Sequence, residues 1–237
     1  MKGRYFFFAI VAIILPFVLL MNGVMLIFTA EFLQYEYKKP DFPDDPYGFT
    51  LKERMEYGSA SVHYIIDVLN RDPDAELAGL QLKDGTPLYN ERELSHMRDV
   101  RQVFGNARAV MAAMIVFIIL TGWLVSKKPD SLPGFLRSLA WGSVLTILLI
   151  VLVFIGIMTG FDTLFENFHH LFFTGDSWLF YADDSLIRLF PEQLWIDGFT
   201  LAAILTGSLA FLVFLVSILA RRKVSIIHRK KQMIRNG

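Results

Sequence analysis

Two histidines in distant parts of the chain, His96 and His169, have the chemistry that proton transfer requires. An imidazole titrates near neutral pH, so it can accept or donate a proton under physiological conditions. His96 lies on a helix that the sequence predicts from Glu91 onward, and Asp99 follows three residues later on the same helix face. A carboxylate placed there can fix the tautomer of the imidazole. His169 follows a long apolar run, and the two histidines would face each other if their helices end at one membrane boundary.

The helix that carries His96 has a recognisable N-terminal signature. Asn90 is a favoured N-cap residue, and Glu93 stands three residues later, where an acidic side chain can bond the N-cap backbone. Glu93 is therefore a second candidate, beside Asp99, for supporting His96 from the same helix.

Two other interpretations of the histidines stay open at this point. A surface histidine beside an aspartate is more often an ordinary hydrogen-bonded pair than a catalytic one. Several histidines with Asp and Glu nearby can also hold zinc, but the chain has no HExxH or comparable spacing. The sequence therefore predicts no metal and no cofactor, and it assigns no role to His63 or His170.

Aromatic side chains are dense just after His169. A belt of aromatics at the membrane interface explains some of them, but a belt does not require so dense a cluster in a segment that does not span. An apolar pocket for a lipid-bearing substrate would require it. The candidate substrate-binding residues are Phe168, Phe172, Phe173, Trp178 and Phe180.

The elements that must position these residues are membrane helices. The 237 residues are 54% hydrophobic, which is too apolar for an ordinary soluble domain. A bilayer core requires about 20 consecutive apolar residues in a helix. Four stretches meet that requirement, at about residues 5–28, 109–125, 135–158 and 199–220.

The distribution of Lys and Arg predicts the orientation of these spans. Basic residues precede the first span, flank the short link between the second and third, and form a tail at 221–237. Because cytoplasmic segments are enriched in Lys and Arg, both termini are expected in the cytoplasm. Segments 29–108 and 160–198 are then expected outside, as a small extracellular cap on a single membrane domain, 1–237. Within the cap, the pattern predicts a helix over 51–69 and a turn at Asp84-Gly85.

Several kinds of function lack their usual residues. The absence of cysteine excludes a Cys nucleophile and thiolate metal sites. The chain has no GxSxG elbow, no P-loop and no GxGxxG before a helix. No charged residue lies deep in the second or fourth span, which argues against an ion pathway. Nucleic-acid binding has no support beyond the basic tail.

Two segments resemble signatures of the bacterial lipoprotein intramolecular transacylases, Lit. The first is an E-L-x-H-M-x-D-V run that ends just before the second span. The second combines an F-H-x-x-F-F run, a W-x-F run and an L-I-x-L-F-P-E run. In this chain they correspond to LYNERELSHMRDV at 88–100, FHHLFFTGDSWLF at 168–180 and LIRLFPE at 186–192.

The resemblance implies an all-α polytopic membrane enzyme of the bacterial cytoplasmic membrane, with its active site at the outer face. Its substrate would be a lipoprotein that carries a diacylglyceryl group on the sulfur of its N-terminal Cys. The enzyme would move the sn-2 acyl chain to the α-amine of that Cys and leave a lyso-form lipoprotein. By position, the resemblance implies His96 and His169 as the catalytic residues, with His169 as our choice for the base. The alternatives are a non-enzymatic membrane scaffold and a metal-binding membrane protein.

Overall fold

The structure is a computed structural model that describes residues 2–128 and 130–236, with the side chains of residues 5–128 and 130–227. The side chain of His228 lies outside the described side chains. So do six basic side chains used to predict the topology: Lys2, Arg4, Arg229, Lys230, Lys231 and Arg235.

The described chain is helical, in agreement with the predicted fold class, and the helices are joined by loops. We number them α1 to α8 in chain order. Their bounds are α1 Lys2–Ile27, α2 Ala30–Tyr37, α3 Leu51–Ile66, α4 Pro73–Ala78, α5 Glu91–Ser126, α6 Leu132–Phe172, α7 Ser185–Leu189 and α8 Glu192–Asn236.

Four of these helices are long and apolar enough to cross a membrane, within the part of the chain that the structure describes. They are Tyr5–Ile27, Glu91–Ser126, Leu132–Phe172 and Glu192–Ile227. Each contains one predicted span, so the prediction of four membrane helices is confirmed. The first half of α5 and the last turns of α6 are charged, with Asp99 and Arg101 on one and Asp162 and Glu166 on the other. These charged residues lie outside the spans predicted at 109–125 and 135–158.

The helix α6 is interrupted where the third predicted span ends. Gly160 has non-helical backbone angles, φ 170° and ψ 83°, and a helical segment continues beyond it to Phe172. The third predicted span ends at residue 158, two positions before this interruption. His169 lies on the segment beyond Gly160.

The described residues form two compact units, and the first unit contains most of each predicted span. It comprises residues 2–23, 109–128, 130–155 and 203–236. In membranes, helices pack through small residues that permit close approach. Gly142 on α6 does so here, since an added Cβ would lie 2.9 Å from the Leu15 side chain and 3.0 Å from the Ala12 carbonyl oxygen. The outward faces of these helices expose large apolar side chains, as expected for contact with lipid.

The second unit comprises residues 24–108 and 156–202 and contains both histidines of interest. Its core includes Leu33, Tyr37, Phe42, Val62 and Leu194, contributed by α2, α3, α8 and the loop after α2. The helix predicted over 51–69 is confirmed but ends at Ile66. The turn at Asp84-Gly85 is also confirmed, with Gly85 at φ 86° and a single antiparallel bridge between Gln81 and Pro87.

Candidate active site

The structure brings His96 and His169 together within the second unit. Their ring centroids are 6.0 Å apart and the ring planes differ by 23°. Both side chains are buried, with exposed fractions of 6% for His96 and 8% for His169. Two buried imidazoles at this separation can contact one small reacting group from two sides.

His169 is oriented by its own helix. Its Nδ1 lies 2.7 Å from the carbonyl oxygen of Phe165, one turn earlier. Because a carbonyl oxygen only accepts, Nδ1 must carry the proton and donate it. The neutral imidazole then has its lone pair on Nε2, which is the form that a general base requires. The ring of Phe165 also packs against His169, with centroids 4.1 Å apart.

His96 lies edge-on to two aromatic rings. The ring centroids of Phe173 and Phe180 are 4.9 Å and 5.3 Å from that of His96, both in T-shaped geometry. Its Nδ1 is buried and has no hydrogen-bond partner among the described residues. A buried polar atom without a partner is uncommon and costs about 1–3 kcal/mol, so this nitrogen is available to a bound group.

Burial keeps both imidazoles neutral near physiological pH. Burial, with a smaller contribution from the neighbouring His169, lowers the pKa of His96 to about 4. Burial also lowers the pKa of His169, although the bond to the Phe165 carbonyl opposes that effect. The neutral forms can accept a proton or donate a hydrogen bond, which suits acyl transfer between neutral groups.

Glu93 ties the beginning of α5 to α7. Its carboxylate accepts the backbone N–H of Asn90 at 2.8 Å and that of Leu186, on α7, at 2.7 Å. Asn90 in turn accepts the Glu93 N–H at 3.0 Å. The predicted capping interaction is therefore formed, and its added bond to Leu186 fixes α7 beside the helix that carries His96. Burial raises the pKa of Glu93, while the two backbone bonds oppose the shift.

Asp184 and Arg92 hold the segment that carries Phe180. Asp184 accepts from Arg92 at 3.1 Å, from the Asn90 side chain at 2.9 Å and from the Tyr181 backbone at 2.8 Å. The Arg92 guanidinium also lies 5.5 Å from the centre of the Phe180 ring. These contacts keep the Phe180 ring against His96. No local sequence pattern indicates this pair, because its members are 92 positions apart.

Replacing Glu93 by Ala is expected to destabilise the protein by about 2–4 kcal/mol. The change leaves the backbone N–H groups of Asn90 and Leu186 without their charged acceptor, and such bonds are worth about 1.5–3 kcal/mol each. Part of this loss is offset because the variant no longer buries a carboxylate. The measurement is the thermal unfolding midpoint of detergent-solubilised protein. Glu91→Ala, at an exposed position on the same turn, is the control. Equal midpoints for the two variants would contradict the expected role.

Asp99 does not support His96 in the way the sequence suggested. Among the described residues, no hydrogen bond or ion pair joins the Asp99 carboxylate to His96, and His96 Nδ1 has no partner. Spacing of three residues aligns two side chains on a helix face, but it does not bring them into contact. The expected contact is therefore not formed.

Asp99→Asn is accordingly expected to change the acyl-transfer rate by no more than about threefold, as for a half-buried polar residue away from the chemistry. The measurement is the initial rate of the variant on a synthetic diacylglyceryl lipopeptide. It is compared with the rate of wild type at matched protein concentration. A loss above tenfold would restore Asp99 as a positioning residue.

The predicted aromatic residues divide into two groups. The groups differ in burial: Phe173, Trp178 and Phe180 are buried or half-buried against a histidine ring, whereas Phe168 and Phe172 are 46% and 45% exposed. Phe168 contacts the His169 ring at 5.6 Å, and Phe172 packs on Phe168 at 5.0 Å. Phe165 was missed as a site residue, although its position four residues before His169 on a helix could have indicated it.

The remaining histidines lie at the edge of this cluster or away from it. His170 is exposed and its ring meets that of Trp178 at 5.2 Å. His63 is exposed on α3 and lines a cavity of about 350 Å³ beside α4. Within the described residues, no group of three or more His, Cys, Asp or Glu side chains is placed to hold a metal ion.

Comparison with known proteins gives a consistent result. Residues 8–195 match the family "Lipoprotein intramolecular transacylase Lit". An uncharacterized protein of Aquifex aeolicus is 29% identical over 215 residues, which cover 90% of this chain and 94% of that protein. The structure of the membrane-integral transacylase Lit from Bacillus cereus has a similar fold, with TM-score 0.75, 20% identity and coverage of 98% and 99% of the two chains. A variant of that protein with one histidine replaced by arginine gives a TM-score of 0.70.

Proposed function

We propose, because the chain belongs to the lipoprotein intramolecular transacylase Lit family, that it transfers the sn-2 acyl chain of an S-diacylglyceryl lipoprotein to the α-amine of the modified Cys. As a member of this family the chain is an acyltransferase of the membrane. The product is a lyso-form lipoprotein with one N-linked and one O-linked chain. The juxtaposition of two buried imidazoles inside an aromatic cluster is the observation that carries the proposal.

Closing the reaction ring is a large part of the catalytic task. The ring contains the amine nitrogen, Cα, Cβ, sulfur, two glyceryl carbons, the ester oxygen and the carbonyl carbon. A ring of this size forms rarely in a flexible molecule, and holding it in attack geometry can supply up to about 7–11 kcal/mol. The rings of Phe173, Trp178 and Phe180, which surround the histidines, are suited to restrain the glyceryl group and its chains.

His169 acts as the base in this proposal. The amine nitrogen bonds to the acyl carbon, and Nε2 of His169 takes the proton that the nitrogen releases. When the tetrahedral intermediate collapses, the bond to the glyceryl oxygen breaks and the imidazolium returns the proton to that oxygen. The reaction is an isomerisation, so no donor, metal or water is consumed. The hydrogen bond from Nδ1 to Phe165 supports this assignment, because it leaves the lone pair on Nε2.

His96 stabilises the negative charge that develops on the acyl oxygen. A pKa of about 4 makes His96 neutral at physiological pH, so it is suited to donate a hydrogen bond rather than a proton. Its unpartnered Nδ1 is the available donor when that nitrogen carries the proton.

The distribution of Lys and Arg supports the topology that we propose. Basic residues at both termini and in the link 127–137 favour a cytoplasmic location for these segments. The residues of the second unit then lie on the extracellular side, where lipoproteins carry their modified N-terminus. Residues 1–237 act as a single membrane domain in this arrangement.

Mass spectrometry of a synthetic diacylglyceryl lipopeptide tests the function. After incubation with detergent-purified protein the intact mass should not change, and fragmentation should locate one acyl chain on the Cys nitrogen. The same lipopeptide incubated without protein is the control, because it measures spontaneous migration. An acyl chain that stays on the glycerol, with protein shown to be folded, would overturn the proposal in favour of a non-enzymatic role.

A further inference from the structure

The indole nitrogen of Trp178 is a buried donor without a hydrogen-bond partner among the described residues. The Trp178 side chain is only 7% exposed. An indole N–H can donate but not accept, and leaving it unpaired in the interior costs about 1–3 kcal/mol. The other Trp of this unit, Trp195, satisfies the same group by donating to the Phe190 carbonyl at 3.1 Å. The N–H of Trp178 therefore differs from that of Trp195 in being free to donate to a ligand.

Trp178 lies directly against the proposed base. Its ring centroid is 4.9 Å from that of His169, with 31° between the planes. His96 Nδ1 is a second buried nitrogen without a partner, and the His96 ring is 6.0 Å from that of His169. Trp178 and His96 therefore each carry an unpaired nitrogen, and both rings lie beside His169, the proposed base.

We propose that the Trp178 indole N–H is a catalytic hydrogen-bond donor to the acyl oxygen as it becomes an oxyanion. This inference rests on the proposed acyl transfer. It gives Trp178 a role in the chemistry beyond lining an apolar pocket, and it supplies a second donor beside His96.

The reaction develops negative charge on the acyl oxygen, and a hydrogen-bond donor stabilises that charge. When the amine nitrogen bonds to the acyl carbon, the second electron pair of the carbonyl bond moves onto its oxygen. Trp178 Nε1–H donates to that oxygen, and the pair returns when the bond to the glyceryl oxygen breaks. Trp178 is unchanged at the end of the cycle. Since the charge exists only near the transition state, the contact accelerates the chemical step more than it strengthens substrate binding.

The acyl group must separate aromatic rings to reach this donor, because neither Trp178 Nε1 nor His96 Nδ1 is in contact with solvent. Phe168 and Phe172 are nearly half exposed on the same helix as His169, and they provide an apolar edge at which an acyl chain can enter. The unsatisfied N–H then gains its partner on binding, which offsets part of the free energy required to separate the rings.

Removal of the N–H alone tests the proposal. Trp178→Phe keeps an aromatic ring beside His169 without the donor, and Trp195→Phe, whose N–H is already used by Phe190, is the matched control. A third variant carries β-(3-benzothienyl)alanine at position 178, which has the shape of Trp with sulfur in place of N–H. This variant separates the donor from the packing if Trp178→Phe does not fold. Single-turnover and steady-state rates on the diacylglyceryl lipopeptide are measured for all of them.

Both variants at position 178 are expected to lower kcat by about 10²-fold with KM changed by no more than about threefold, as for loss of one oxyanion donor. Trp195→Phe should stay within about threefold of wild type in kcat. Full activity of the benzothienyl variant beside an active wild type would overturn the role of Trp178 and leave the proposed function intact. An inactive wild type, with the acyl chain still on the glycerol, would overturn both.

Discussion

Replacing His169 by Ala is expected to lower the rate of acyl transfer by about 10²–10⁴-fold, the range typical of a lost general base. The variant lacks the Nε2 lone pair that the bond from Nδ1 to the Phe165 carbonyl makes available. The attacking amine would then have to lose its proton to water, which the buried site largely excludes. The rate of N-acylated product formation in a single turnover, followed by fragmentation mass spectrometry, measures the effect.

Two control variants separate loss of the base from loss of packing. His169→Phe keeps a ring against Phe165 and Trp178 but has no nitrogen, so it should be as inactive as His169→Ala. His170→Ala removes the neighbouring exposed imidazole and should retain most of the activity. Substantial activity in His169→Phe would contradict the role of His169 as base.

Added imidazole provides a further check on the same residue. His169→Ala leaves a space of about the size of an imidazole in the aromatic cluster, and the free base can enter it. The rate should then rise with the concentration of neutral imidazole, while His169→Phe, whose space is filled, should not respond. Equal responses of the two variants would show that imidazole acts from solution and not from the site.

The spanning helices could be predicted from the sequence because their signal is local. An apolar run of about 20 residues has few alternatives to a membrane helix, and each of the four predicted runs lies in one long helix. The capping interaction of Asn90 with Glu93 was predictable for the same reason, since its two members are three positions apart. The identities of His96 and His169 came from the motif, and their spatial proximity could only be expected from the topology.

The contacts that orient the site could not be predicted from the sequence, because they join distant segments. The bond from Leu186 to Glu93 spans 93 positions, and no local pattern specifies it. Asp99 shows the opposite error: its spacing from His96 suggested a contact that the packing does not form. Nor does any sequence pattern distinguish the unpaired N–H of Trp178 from the satisfied one of Trp195. Whether the Trp178 N–H has a partner depends on how the segments around it pack.

His96→Ala is expected to lower kcat by about 10²–10³-fold, because it removes a donor aimed at charge that develops in the transition state. His96→Gln tests the nature of that role. An amide can donate a hydrogen bond but cannot exchange protons near neutral pH, so a donor role predicts that His96→Gln keeps about tenfold more activity than His96→Ala. Equal loss in the two variants would instead indicate that His96 transfers a proton.

The pH dependence of the wild-type enzyme distinguishes the same two roles without mutation. Because burial lowers the pKa of His96 to about 4, its imidazole stays neutral and its role as donor is kept at every pH above that value. The substrate amine must be unprotonated to attack, and α-amines have a pKa of about 7.7–8.0. The value of kcat/KM should therefore fall about tenfold per pH unit as pH decreases below about 7.5. It should not rise again at lower pH, because such a rise would indicate that activity requires protonated His96. A bell-shaped profile in which activity requires a protonated group of pKa between 6 and 7 would contradict the neutral-donor role. Activity would then depend on charged His96, a form that burial disfavours.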